Sequence, residues 1–401
     1  MIGLAFAYLR RRWGQALLSI LVGALGVAAV TVAFAGFDAL PEAAERAWGG
    51  ADLVVGPKGS ALDLVLCCAL HISDPRGLVS EKAAMAAVHQ PLVRTAAPIA
   101  LGDNVNGWRI VGTRPELLSI YHGDLARGRM WRRPLEAVLG AQAAKALHLS
   151  IGDTFVGAHG LALGGEIHSQ FPYRVTGVLA PTGTVLDRLV LCDIESVRYI
   201  HRMHAEDDAA ATGVTASYVN LPDAATAVIA AYRSPVAMML IPRMVDADPL
   251  LSAGSPSLEI ARLMGYARPI IYAGVALGLL LVLIAAAGAA AALMAAMNGR
   301  TRDLALLRAL GATPFALAQV ALVEALFIAI AATLLGFALA AGALAFGAMA
   351  LNTQTGLVLA PHFDLSVLGE VACGAIAIAL LSSLVPAGRA ATTSIEDVLQ
   401  S

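Results

Sequence analysis

The chain reads as an α-helical membrane protein: four transmembrane helices, with a large extracytoplasmic α+β domain inserted between the first and second. Three observations predict this. The composition is 58% hydrophobic and only 14% charged, with a mean hydropathy of +0.73, which is too apolar for an ordinary soluble enzyme. The apolar residues concentrate in four runs near the two ends. Arg and Lys are distributed unequally among the segments that join those runs.

Each run is justified by length and charge. Residues 14–37 carry no charge, nor do 269–297; residues 314–351 contain Glu324 alone, and 365–385 contain Glu370 alone. About 20 apolar residues cross ~30 Å of hydrocarbon, so all four qualify. Arg10, Arg11 and Arg12 precede the first run, Arg300, Arg302 and Arg308 separate the second from the third, and Arg389 follows the fourth. The 352–364 loop has no Lys or Arg. The positive-inside rule therefore predicts a basic cytoplasmic N-terminus (1–13), a cytoplasmic segment at 298–313, an outer loop at 352–364 and a cytoplasmic tail (386–401). Ala33-Phe34-Ala35 suggests a signal-peptide cleavage site, but the preceding run is longer than a signal h-region of about 7–15 residues, so the first span is kept.

Residues 38–268 lie outside in this topology. They hold 20 Lys and Arg against 23 Asp and Glu, an ordinary soluble surface and not a nucleic-acid binder. Trp108–Val111 and Tyr173–Leu179 read as strands, and Ala137–Leu147 as a helix. Residues 241–268 begin turn-rich and end helically, a predicted stalk into the second span.

The cytoplasmic segment is the most informative. Thr301 suits a helix cap and Asp303 its first turn; Leu304, Leu307 and Leu310 recur at helical spacing, while Arg302 and Arg308 occupy other faces. Gly311 suits a helix end, and Thr313-Pro314 a cap and first position of the next helix. This predicts a short amphipathic helix with one apolar and one charged face at the membrane surface. A connector between spans has the same composition.

RTRDLALLRALGATP at 300–314, followed by VEAL at 323–326, resembles the coupling segment of FtsX-like permeases, the MacB-type (type VII) ABC transporter permeases. PAGRAATTSIEDVL at 386–399 resembles that family's closing motif, with Ser394 in place of a Pro. VLGAQAAKALHLSIGD at 138–153 and YRVTGVLAPTGTVLDR at 173–188 resemble its outer domain, and VVGPKGS at 54–60 resembles a segment found after the first span in one branch. That branch occurs in some zinc-responsive gene clusters. The resemblance covers nearly the whole chain in the right order.

It implies a permease subunit that works as a dimer, homo- or heteromeric, with separate cytoplasmic ABC ATPases, and with a periplasmic adaptor or substrate-binding protein as a further partner. ATP binding and hydrolysis in the partner would move the outer domain, a process called mechanotransmission, to drive export or extraction. Arg302, Asp303, Leu304, Leu307, Arg308 and Gly311 would form the ATPase contact; Asp303 stands where many members carry Glu. ATP and Mg would bind the partner, and this chain would bind no cofactor. The implied location is the bacterial inner membrane with both termini cytoplasmic. Relatives that activate an outer hydrolase or sense an antibiotic supply a signalling alternative, and a membrane receptor or scaffold is a third.

The chain itself has no phosphate-loop motif: Lys58, Lys82 and Lys145 follow Pro, Glu and Ala, where that loop needs Gly before Lys. It also lacks H-E-x-x-H and G-x-S-x-G, so ATP hydrolysis is expected in a partner.

Four further groups stand out. Glu324 lies within the third span, where a carboxylate must face protein or water, in the bundle or at a dimer contact. Gly274 and Gly278 form a G-x-x-x-G, predicting close helix packing within a subunit or across a dimer. His201 and His204 lie one helical turn apart near Glu206, Asp207 and Asp208, a candidate zinc pair or a solvated loop. Cys67 or Cys68 is a candidate partner for Cys192 in an oxidising compartment.

Overall fold

The computed structural model describes residues 10–160, 167–207, 221–298, 313–355 and 363–392. These divide into two compact units, one of residues 1–40, 266–350 and 359–401 and the other of 41–265 and 351–358.

In the first unit, four helices among the described residues are long and apolar enough to cross a membrane. They are α1 (Trp13–Trp48), α8 (Pro256–Asn298), α9 (Pro314–Thr355) and α10 (Leu365–Thr392), numbered with the outer-domain helices in chain order. Hydrocarbon supplies no hydrogen-bond partners, so each span satisfies its backbone internally. Three hydroxyls follow suit: Thr31 Oγ1 donates to the Val27 carbonyl at 2.8 Å, Thr333 Oγ1 to Ala329 at 2.8 Å, and Ser383 Oγ to Leu380 at 2.7 Å.

Small residues let α1 approach its neighbours. A Cβ on Gly26 would lie 2.6 Å from the Gly278 carbonyl oxygen, and one on Gly278 would lie 2.7 Å from Val30 Cγ2. A Cβ on Gly336 of α9 would meet Val27 Cβ at 2.7 Å. Backbone contact of this kind is what drives association where lipid and side chain are equally apolar. The Arg12 guanidinium donates to the Ala292 carbonyl, joining the start of α1 to the far end of α8.

The second unit is built on an eleven-stranded mixed sheet. In chain order its strands are β1 (Leu53–Pro57), β3 (Val93–Val105), β4 (Trp108–Thr113), β5 (Leu125–Gly128), β6 (Glu136–Leu139), β7 (Thr154–Phe155), β8 (Ala158–His159), β9 (Tyr173–Leu179), β10 (Val190–Asp193), β12 (Ala227–Tyr232) and β13 (Leu251–Gly254). The spatial order is β13-β1-β12-β3-β4-β10-β6-β9-β5, with β7 paired to β9 and β8 to β3; β2 (Val79–Ser80) pairs separately with β11 (Ala224–Ala225). The β4–β10 and β6–β9 pairs are parallel and the rest antiparallel.

Helices cover this sheet: α2 (Ala61–Leu64), α3 (Glu81–Val88), α4 (Glu116–Ile120), α5 (Ala141–Leu147), α6 (Ile194–Asp207) and α7 (Ala237–Asp246). On α6, Ile194, Val197, Ile200 and His201 are buried at helical spacing, the face that packs on β3 and β4. Gly112 of β4 permits that approach, since its Cβ would lie 2.7 Å from Val197 Cγ2. The buried Arg198 guanidinium bonds Glu81 and Glu195, each at 2.6 Å, and the Ala224 carbonyl at 2.7 Å, tying α6 to α3 and β11.

Two sequence expectations need correction. Residues 137–147 do not form one helix. Ala137–Leu139 belong to β6, held between β10 and β9, and the chain turns at Gly140, whose Cβ would sit 2.1 Å from the Leu186 carbonyl oxygen. Nor is 241–268 a single stalk: Ile241 lies in α7, Leu251–Gly254 is the edge strand β13 on β1, and helix resumes only at Pro256. Proline at the first helical turn lacks only an N–H that would be unpaired anyway.

The glycine contacts make a prediction. Gly278→Val, which forces a branched side chain into α1, should cost about 1–3 kcal/mol and lower the melting temperature of the detergent-extracted protein by several degrees. Gly274, whose Cβ would meet nothing within 4 Å, should accept Val with little change. Equal melting curves for the two variants would refute this packing.

Candidate functional site

The predicted ATPase-contact residues Arg302, Asp303, Leu304, Leu307, Arg308 and Gly311 lie outside the described residues, between the end of α8 at Asn298 and the start of α9 at Pro314. Thr313 caps α9, its Oγ1 accepting from the Ala316 N–H at 3.2 Å. Within the helical unit, Glu324 is buried on α9 at 9% exposure, beside Ala325 and Ala321. The Gly274–Gly278 pair splits: Gly278 packs on α1 inside the chain, and Gly274 faces open space.

VVGPKGS at 54–60 has a structural explanation. Lys58 Nζ donates to the carbonyls of Asp246, Asp248 and Leu251 at 3.1, 3.3 and 2.9 Å, satisfying acceptors left at the end of α7 and the start of β13. Gly59 N–H donates to Ser252 Oγ at 3.1 Å, and Gly56 leaves room for Leu64.

The cysteines remain thiols. Cys67 and Cys68 are buried in the π-type turn at 65–69, and Cys192 is buried in the central strand β10 with its Sγ toward the Val111 carbonyl at 3.8 Å, with no bridge between them. Hydrogen bonding by Cys67, with burial, pushes the Cys68 thiol up, and burial pushes the Cys192 thiol up. Thiols that resist ionisation are poor nucleophiles. Nearby, both ring nitrogens of the half-buried His71 are enclosed without a hydrogen-bond partner, and burial and the Arg109 charge lower its pKa to about 3.

The densest polar cluster is elsewhere. His201, one of the two histidines singled out in the sequence, is buried on the sheet-facing side of α6; the side chain of His204 is not among those the structure describes. His201 Nε2 lies 3.5 Å from Asp103 Oδ1, and the same oxygen is 3.2 Å from His168 Nε2 and 3.8 Å from His159 Nδ1. The three imidazoles stand nearly perpendicular, with centroids 5.1–6.3 Å apart. Asp103 and His159 face each other across the β3–β8 pair. A register shift between Leu101 and Asp103 turns the carboxylate toward the cluster. Glycine at 102 leaves room for the imidazole, since a Cβ there would lie 2.4 Å from His201 Nε2. Burial would raise the Asp103 carboxyl, but facing His201, His168 and His159 holds it below its usual value.

Sequence reasoning missed Asp103, His159 and His168. They are spread over 66 positions with no local spacing pattern, and only the β3–β8 pairing and the seat of α6 bring them to His201.

Profiles of known families align with both halves of the chain. The MacB-like periplasmic core domain matches residues 16–233, and the FtsX-like permease C-terminal domain matches residues 275–395. The chain belongs to the MacB/FtsX-type ABC transporter permeases. As such a permease it is a multi-pass membrane protein, with a periplasmic-type α+β domain between its first and second candidate spans. No curated protein matches it by sequence. Among solved structures it is similar to the periplasmic region of MacB from Actinobacillus actinomycetemcomitans, at 11% identity and a TM-score of 0.33, covering 54% of this chain and 93% of that one. It is also similar to the extracellular domain of the noncanonic ABC-type transporter YknZ from Gram-positive bacteria, at 10% identity and a TM-score of 0.30, covering 51% and 98%.

The His71 environment predicts an acid dependence of stability. Its folded pKa lies below the unfolded value of about 6.5, so the unfolded chain binds more protons between the two values. Stability contributed by neutral His71 is complete above pH ~6.5 and falls as pH drops toward 3, by about 2 kcal/mol at pH 5. His71→Asn, which tolerates the left-handed backbone at that position (φ 53°), should flatten this fall in urea-unfolding midpoints measured from pH 7 to pH 5. An unchanged slope would contradict the assignment.

Proposed function

We propose that this permease transmits mechanical work: a separate cytoplasmic ABC ATPase engages residues 300–311, and its ATP cycle moves the outer domain to export or extract a substrate. The observation that carries the reading is the amphipathic, charge-flanked RTRDLALLRALG between two long apolar spans whose one charged residue is Glu324, inside the region matching the FtsX-like permease domain. Leu304, Leu307 and Leu310 would fill a groove on the ATPase; Arg302, Asp303 and Arg308 would orient the helix, and Gly311 would end it.

Helix length supports the transmission step. The 43 residues of α8 and the 36 of α1 correspond to ~65 and ~54 Å of helix, well beyond the ~30 Å of hydrocarbon. Each therefore has length to spare outside the bilayer, and the helical stretches on either side of Pro41 in α1 and Pro269 in α8, where one backbone hydrogen bond is missing, carry displacement along the axis. The permease acts as a pair of copies in this reading, in a bacterial inner membrane with both termini cytoplasmic, and contributes no catalytic group.

In proteoliposomes containing the cognate ATPase, wild-type permease should stimulate ATP hydrolysis and Leu307→Asp should abolish the stimulation, with extraction yield and melting temperature unchanged. Stimulation equal to wild type in Leu307→Asp would remove the lever.

A further inference from the structure

We propose that Asp103, His159 and His201 form a binding site for a divalent transition-metal ion of the zinc class, with His168 holding the Asp103 carboxylate from the side. The inference stands on the outer-domain geometry and is independent of the transport mechanism.

Distance is the first argument. Candidate ligand atoms of Asp103, His159 and His201 all lie within 4.8 Å of one another. The three imidazole nitrogens approach Asp103 Oδ1 at 3.2, 3.5 and 3.8 Å. Two ligands bound to zinc at ~2.0–2.1 Å across a tetrahedral angle sit ~3.3 Å apart. The spacing is therefore close to the edge of a zinc coordination tetrahedron, and small side-chain rotations complete it.

Burial is the second. Asp103 has no solvent exposure, and its other oxygen, Oδ2, is enclosed without a hydrogen-bond partner; the enclosed Nδ1 of His159 likewise has none. An ionised carboxylate in such a place costs several kcal/mol unless it is paired or coordinates a metal. One cation at the centre would neutralise it while accepting the imidazole lone pairs. The backbone is shaped for this, with the β3 register shift and the Gly102 gap both serving the approach of Asp103 and His201.

Ligand chemistry selects the ion. Two imidazoles and one carboxylate, with a fourth position left for water, favour borderline metals such as zinc over calcium or magnesium, which take oxygen ligands. The His159 side chain is 38% exposed, which gives the ion an entry on the β8 side. A bound ion would add a staple from β8 to α6, reinforcing the Ala158–Ile167 bridge and the edge-on Phe171–Tyr199 contact already there.

The test uses full-length protein in detergent without a polyhistidine tag. The protein is stripped with chelator, desalted, and dialysed against micromolar zinc chloride. Metal content is read by mass spectrometry and backbone hydrogen exchange is followed over 154–171. Wild type should retain one zinc per chain and exchange more slowly there when zinc is present. His159→Ala, at a partly exposed position that the core does not need, should weaken zinc binding roughly tenfold or more and remove the exchange effect. The isosteric Asp103→Asn should do the same. Wild type that binds zinc only at millimolar concentration or not at all would overturn the proposal. So would zinc retained equally by both variants, which would place the metal elsewhere, for instance at Cys67 and Cys68.

Discussion

Hydrocarbon offers a peptide group no hydrogen bond and a charged group no solvation, and the rest of the chain is arranged around that fact. Each span must be a helix closed on its own backbone. The buried hydroxyls of Thr31, Thr333 and Ser383 bond within their own helices, and Glu324 is buried on α9. Because lipid and side chain are equally apolar, association falls to close backbone contact. Gly26, Gly278 and Gly336 supply it around α1, where no larger residue fits.

The same constraint expels polar chemistry from the membrane. Ion pairs such as Glu81 with Arg198, the lysine cap at Lys58 and the histidine–aspartate cluster all belong to the sheet-bearing unit, whose central strands are buried. There the long strand β3 matters most. It pairs with β12, β4 and β8, and its irregularity at Gly102 decides where Asp103 points. One strand thus sets both the core of the sheet and the polar cluster.

What could be read from the sequence follows the range of the interactions involved. The spans were legible because transfer into hydrocarbon depends on local composition, which a window of about 20 residues captures. Tyr173–Leu179 was legible as a strand from its apolar, β-branched run, and it is β9. Residues 137–147 misled because an Ala-rich window carries helix propensity throughout; contacts with β10 and β9, distant in sequence, override it in the first three residues. His201 was noticed for a local neighbour, His204. Its partners Asp103, His159 and His168 are gathered by strand pairing and helix docking, which no spacing rule encodes. The Cys67, Cys68 and Cys192 thiols failed as a disulfide for a similar reason, since residue type alone does not place a sulfur.

The central claim is that the charged, leucine-bearing segment between the second and third spans is the contact through which an ATPase drives this permease. The most direct measurement is a site-specific photo-crosslink. A photoreactive amino acid replaces Arg302 on the charged face, the full-length protein is irradiated in intact cells, and the crosslinked partners are identified by mass spectrometry. The account predicts a covalent adduct to a cytoplasmic ABC ATPase. Adducts to lipid alone, or to proteins that carry no ATPase domain, would contradict it.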